Sequence, residues 1–140
     1  HLPDILRMIR ALSAFHGDEA SVTLEQLQHA FFASDRATSL VAVKDGQLIG
    51  YAGLTFMTVL HTGRTRIDVH HLFVDERHRA QGVGRALIAA AREHANEIGA
   101  ARMSIGTDIN NQTAQSAYRA MGLEQITDIG PRFTIPLSDQ

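Results

Sequence analysis

Apolar residues near the start of the chain recur at helical spacing. Ile5, Met8, Ile9 and Leu12 fall on one face, behind an opening Pro3–Asp4. The polar stretch His-Gly-Asp-Glu-Ala-Ser at 16–21 ends that helix. Thr23 with Gln26 has the spacing of a capping box and predicts a second helix carrying Leu24, Leu27 and Phe31. The period then changes. Residues 39–43 (Ser-Leu-Val-Ala-Val) predict a short buried strand, Asp45–Gly46 a hairpin turn, and residues 47–57 the returning strand. A second turn at 61–65 leads into Arg-Ile-Asp-Val-His-His-Leu-Phe-Val at 66–74, so this region predicts an antiparallel meander.

After Val74 the helical period returns. Residues 82–98 predict a helix with Val83, Leu87, Ala91 and Ile98 inward and Gly99 as its stop. Residues 101–107 read as a strand and 111–121 as another helix, ended by Gly122. Two further strands are expected at 123–129 and 132–137, around the Gly130–Pro131 turn. The central strand–helix–strand unit implies a right-handed crossover and a parallel pair. The expectation is one α/β domain over 1–140, with a mixed, mostly antiparallel central sheet and helices on both faces.

Composition narrows the chemistry. The 140 residues contain no cysteine, which excludes disulfides, thiolate metal sites and cysteine nucleophiles. A net charge of -2 gives no global nucleic-acid surface. No apolar run reaches the ~20 residues of a membrane span and no stretch reads as a signal peptide, so a cytoplasmic protein without membrane partners is expected. Eight histidines invite a metal reading. Strand alternation, however, predicts that His70 and His71 face opposite sides, and neither has a helical i, i+4 partner, so no metal site is expected. His78 and His94 are expected in solvent, as is the loop Asp75–Arg77.

The most informative stretch is His-Arg-Ala-Gln-Gly-Val-Gly-Arg-Ala-Leu at 78–87. Gly82 and Gly84 sit in the first turn of a predicted helix, where glycine costs about 1 kcal/mol relative to alanine. Directly after a strand, such a turn offers free N–H groups and the positive end of the helix dipole to an anion. Arg79 and Arg85 can add charge-assisted contacts. The competing reading is that the glycines only permit close helix–strand packing. A Walker A ending is absent, and Leu87 stands where a dinucleotide fingerprint needs its third glycine.

Arg79-Ala80-Gln81-Gly82-Val83-Gly84 resembles the Arg/Gln-x-x-Gly-x-Gly/Ala pyrophosphate signature of the GNAT superfamily of N-acetyltransferases. Asn111, Ala114, Ala117, Tyr118 and Gly122–Leu123 resemble its second signature. The resemblance is firm over about residues 66–123. It implies a GNAT-like fold, here without the family's first strand, and acetyl-CoA as co-substrate. It also implies that the backbone of Leu72, Phe73 and Val74 pairs with the pantetheine arm. The N–H groups of Gln81, Gly82, Val83, Gly84 and Arg85 would hold the pyrophosphate, and Asn111 would bond to the cofactor. Members of the family are often dimers, which leaves monomer and homodimer both open here.

The resemblance further implies that Tyr118 returns a proton to the departing CoA thiolate. The alternative is that Tyr118 continues a core stripe with Ala114, Ala117 and Met121. Family bases come from places matching Asp68 or His70. His70 lies nearer the cofactor stretch, and an imidazole ordinarily titrates near pH 6.5, which suits proton acceptance. Asp68 would support it; the competing reading leaves the proton to bulk water. The two N-terminal helices and Leu72-Phe73-Val74 also resemble the polyamine branch of the family, but His70 and His71 stand where that branch has an acidic pair. The function expected is acetyl transfer to a primary amine of a small molecule or peptide. A catalytically silent acyl-CoA-binding module is the alternative.

Overall fold

A computed structural model describes residues 1–15, 17–127 and 129–137. They fall into two compact units, His1–Asp108 and Ile109–Gln140.

In the first unit, α1 (Leu2–Phe15) and α2 (Leu24–Phe32) precede a four-stranded sheet. Thr23 caps α2 as its spacing predicts: Thr23 Oγ1 accepts from Gln26 N, and Thr23 N donates to Gln26 Oε1. The strands β1 (Ala37–Lys44), β2 (Gln47–Val59) and β3 (Arg64–Val74) form the expected meander. Asp45 and Gly46 both have positive φ, 51° and 77°, as a two-residue hairpin turn of this hand requires. Helix α3 (Val83–Glu97) then crosses over to β4 (Arg102–Ile105), which pairs parallel to β3.

Each face of the sheet has its own core. Ile5, Met8 and Ile9 of α1 and Leu27 of α2 pack on Leu48, Tyr51 and Phe73. Leu87, Ala91 and Ala95 of α3 pack on Ala52, Leu54, Ile67 and Val69. Leu54 and Ile67 are fully buried, and each such side chain contributes roughly 1.5–3 kcal/mol of transfer free energy.

The sheet departs from simple alternation at one place. Val69 pairs with Leu54 and His71 with Gly53, so His70 is an extra residue on β3, a bulge. Before it, Ile67 and Val69 face α3; after it, Leu72 and Val74 do, while Phe73 faces α1 and α2.

One smaller expectation fails. Ile98 caps α3 and is 44% exposed instead of facing inward, because the helix ends at Glu97.

The second unit contains α4 (Gln112–Ala120), capped by Asn111, whose Oδ1 accepts from Ala114 N at 3.1 Å. The strands expected at 123–129 and 132–137 are not formed among the described residues; residue 128 lies outside them. The segment has the apolar content of strands but makes no ladder with a neighbour. Ile126, Phe133, Ile135 and Leu137 are accordingly exposed.

Candidate functional site

Two features of the first unit shape the end of the sheet where β3 runs into α3. Strand β4 pairs with β3 only from Arg66 to Val69, so the edge of β3 from His70 to Val74 has no β4 partner. Leu72, Phe73 and Val74 therefore have no strand beside them where the sheet opens, and the carbonyl of Val74 is taken by the Arg79 side chain. Beyond Val74, a 3-10 turn at Glu76–His78 and a loop through Ala80 (φ 60°) and Gly82 (φ 84°) reverse the chain into α3. Gly82 supplies the left-handed cap, and no side chain caps the helix. The first intrahelical bond runs from Ala86 N to Gly82 O, so the N–H groups of Val83, Gly84 and Arg85 precede the ladder.

The glycines differ in what requires them. Gly82 needs its positive φ. A Cβ on Gly84 would meet only Val74 Cγ2, at 3.9 Å, an ordinary contact. Packing in this fold therefore does not demand glycine at 84, whereas an approaching phosphate would. Close packing falls instead on Gly50 of β2. There a Cβ would lie 3.1 Å from both Phe73 O and Val83 Cγ1, so Gly50 lets the start of α3 settle onto the sheet.

The flanking side chains are partly committed. Arg79 Nε donates to Val74 O at 3.0 Å, and its guanidinium lies 5.7 Å from the Phe73 ring centroid. Gln81 Nε2 donates to Arg77 O, and Arg85 is exposed. Asp75 pairs with Arg7 of α1 at 3.2 Å and is not simply a solvated loop residue. His78 and His94 are half-buried rather than solvated. His78 Nδ1 is buried without a hydrogen-bond partner among the described residues, and the His94 ring packs near Phe56.

On the α1–α2 face, the bulge gathers titratable groups. His70 and His71 do not face opposite sides, because the extra residue removes the alternation between them; their rings stack at 4.8 Å. Asp68 Oδ2 lies 3.6 Å from His70 Nδ1, and Asp68 Oδ1 accepts from Ser104 Oγ at 3.3 Å. His71 Nδ1 lies 2.7 Å from the Tyr51 hydroxyl. Burial pushes that hydroxyl well above the usual phenol range, so it keeps its proton. Both histidines border a cavity of about 410 Å³, with Tyr51, Gly53 and Leu54 on the sheet side and Val22, Leu27 and Phe31 on the helix side.

The structure thus places His70 beside Asp68, both next to the open edge at Leu72–Val74. Tyr51 and Gly53 carry no mark in the sequence, and the spacing places His71 on the wrong face of the strand. A tyrosine and a glycine inside an apolar strand carry no chemical signal, and only the bulge turns His71 toward Tyr51. In the second unit, Tyr118 is half-buried and burial raises its hydroxyl pKa. Asn111 spends its Oδ1 on the helix cap, so its Nδ2 amide is the donor that a cofactor contact would use. Among the described residues, no group of three or more His, Cys, Asp or Glu could hold a metal ion, and no helix is long and apolar enough to cross a membrane.

Comparison with known proteins bears on the family and the fold. N-acetyltransferase 8 of Rattus norvegicus is 29% identical over 111 residues, covering 79% of this chain and 47% of that protein. Aminoglycoside N(6')-acetyltransferase type 1 of Stenotrophomonas maltophilia is 27% identical over 122 residues, covering 85% of this chain and 79% of that protein. Against several curated relatives the chain spans between 22% and 59% of their length. The crystal structure of a probable acetyltransferase superposes with a TM-score of 0.83 at 23% identity, over 100% of this chain and 94% of that one, and so shares the fold. The model of the acetyltransferase (GNAT) family matches residues 5–123, a span that takes in the sheet, the glycine turn and α4; the chain belongs to that family.

Proposed function

We propose that residues 1–140 act as one acetyl-CoA-dependent N-acetyltransferase domain whose acceptor is a primary amine of a small molecule or peptide. The observation that carries this reading is the uncapped start of α3, with Gly84 free of any packing need, at the end of the open β3 edge. These residues fit CoA: the edge at Leu72–Val74 suits the amide groups of pantetheine, and the N–H groups from Gln81 to Arg85 suit its pyrophosphate. Arg85 adds charge from solvent. Arg79 acts mainly by holding the carbonyl of Val74, and Asn111 donates from Nδ2.

Acetyl-CoA supplies a thioester carbonyl carbon as electrophile. The amine nitrogen bonds to that carbon and the C–S bond breaks. The excess proton on nitrogen passes to His70, and the thiolate takes a proton from Tyr118. Asp68, held by Ser104, keeps His70 in place and stabilises the imidazolium that results. The high pKa that burial gives Tyr118 keeps its proton on oxygen until a thiolate forms. A relative named for aminoglycoside acetyl transfer supports an amine as acceptor. The test is thiol release from acetyl-CoA by the purified chain with a panel of amines. Turnover with any of them supports the reading, and CoA binding without turnover overturns it.

A further inference from the structure

We infer that the cavity between α2 and the β2–β3 bulge takes, as acetyl acceptor, a small primary amine with one positive charge and an apolar body. The inference rests on the acetyltransferase reading and adds to it the class of acceptor. At about 410 Å³ the cavity is of small-molecule size. Its walls are mostly hydrocarbon, from Val22, Leu27, Phe31 and Leu54. Glu19, on the loop after α1, is the only carboxylate among its described lining residues, and no Lys or Arg is among them.

One carboxylate matches one ammonium group. A polyamine or an aminoglycoside would bring several, and all but one would lie against apolar side chains without a counter-ion, which is strongly unfavourable. The hydroxyls of a sugar would also lose their partners there. An aromatic or branched aliphatic body instead displaces water from Val22, Leu27 and Phe31 and gains by apolar burial. Glu19 supplies the charge that draws the ammonium in; one proton leaves to solvent to free the nitrogen lone pair, and the proton left on nitrogen after attack passes to His70.

The test compares phenethylamine and isoamylamine with spermidine, kanamycin and an alanine-ended peptide. It reads both thiol release from acetyl-CoA and direct calorimetric binding to the protein. The apolar monoamines are expected to exceed the others in kcat/KM by at least about tenfold. Glu19→Gln should raise their KM at least about fivefold, and Ser21→Trp, at an exposed lining position, should abolish their binding. Both variants should keep the CoA-induced rise in Tm, which shows that they fold. Preference for spermidine, kanamycin or the peptide overturns the inference and leaves the acetyltransferase reading standing. If no amine releases thiol, that reading fails. The acceptor role falls with it, and calorimetry then separates the two failures: monoamine binding lost in Ser21→Trp keeps the cavity as an apolar-monoamine site, and its absence in the parent overturns that as well.

Discussion

The Tyr51 hydroxyl meets His71 Nδ1 at 2.7 Å, over a position where Gly53 pairs with His71 across the β2–β3 ladder. The contact exists because residue 53 has no side chain. A Cβ there would lie 2.7 Å from the Tyr51 hydroxyl oxygen and 3.3 Å from the ring, and Tyr51, only 1% exposed, has little room to retreat. Gly53→Ala should therefore destabilise the fold by about 1–3 kcal/mol in urea unfolding. Tyr51→Phe removes one hydrogen bond and should cost about 1 kcal/mol. If Gly53→Ala is the milder of the two, the crowding argument is wrong.

The same tyrosine sets an alkaline limit. Its hydroxyl pKa is raised in the fold by burial, so the unfolded chain releases that proton first. Its contribution is fully present below the ordinary phenol value of about 10 and is lost as pH rises from there toward the folded value. Stability followed from pH 8 to 11 should fall more steeply in the parent than in Tyr51→Phe. Parallel curves would mean that Tyr51 ionises as easily folded as unfolded.

Gly84 separates the two readings of the glycine turn. In the fold, a Cβ there would meet only Val74 Cγ2, at 3.9 Å, and alanine improves helix propensity by about 1 kcal/mol. Gly84→Ala and Gly84→Val should therefore fold. Both should bind CoA more weakly, Gly84→Val by at least about tenfold, with loss of the CoA-induced rise in Tm. Gly82 is less informative, because its φ of 84° strains any replacement. Parent-like CoA affinity in Gly84→Val would leave the turn as a packing device.

What the sequence makes legible follows from the range of the interactions. The capping box of Thr23 and the Asp45–Gly46 hairpin are local chemistry, and both stand as read. The return of the helical period after Val74, with a helix read at 82–98, likewise matches the α3 crossover. His70 and His71 were misplaced because a bulge is a property of two strands. It depends on how Gly53 and Leu54 meet β3, which no spacing along β3 alone records. The C-terminal segment shows the converse: Ile126, Phe133 and Ile135 provide apolar content, but a strand also needs an edge to pair with.

Tyr118→Phe keeps the ring of α4 and removes only its hydroxyl. If that hydroxyl protonates the CoA thiolate, kcat should fall by about 10²- to 10³-fold while CoA affinity and Tm hold. Because burial raises the hydroxyl pKa, the parent rate should also decline at strongly alkaline pH, and the variant should lack that decline. An unchanged kcat would return Tyr118 to the packing stripe of Ala114, Ala117 and Met121.

The proton acceptor is tested at the bulge itself. His70→Ala removes an exposed ring, so its effect on stability should be small, and His71 keeps its contact with Tyr51. If His70 takes the proton from the amine, kcat/KM should drop by about 10²-fold and its pH profile should lose the limb due to an imidazole, while CoA binding persists. Asp68→Asn keeps the shape of the support and removes its charge. It should lower kcat/KM less than His70→Ala does, because it disturbs the ring without deleting it. A profile that keeps the same limb in His70→Ala would exclude His70 and move the role to His71, whose ring stacks on it at 4.8 Å.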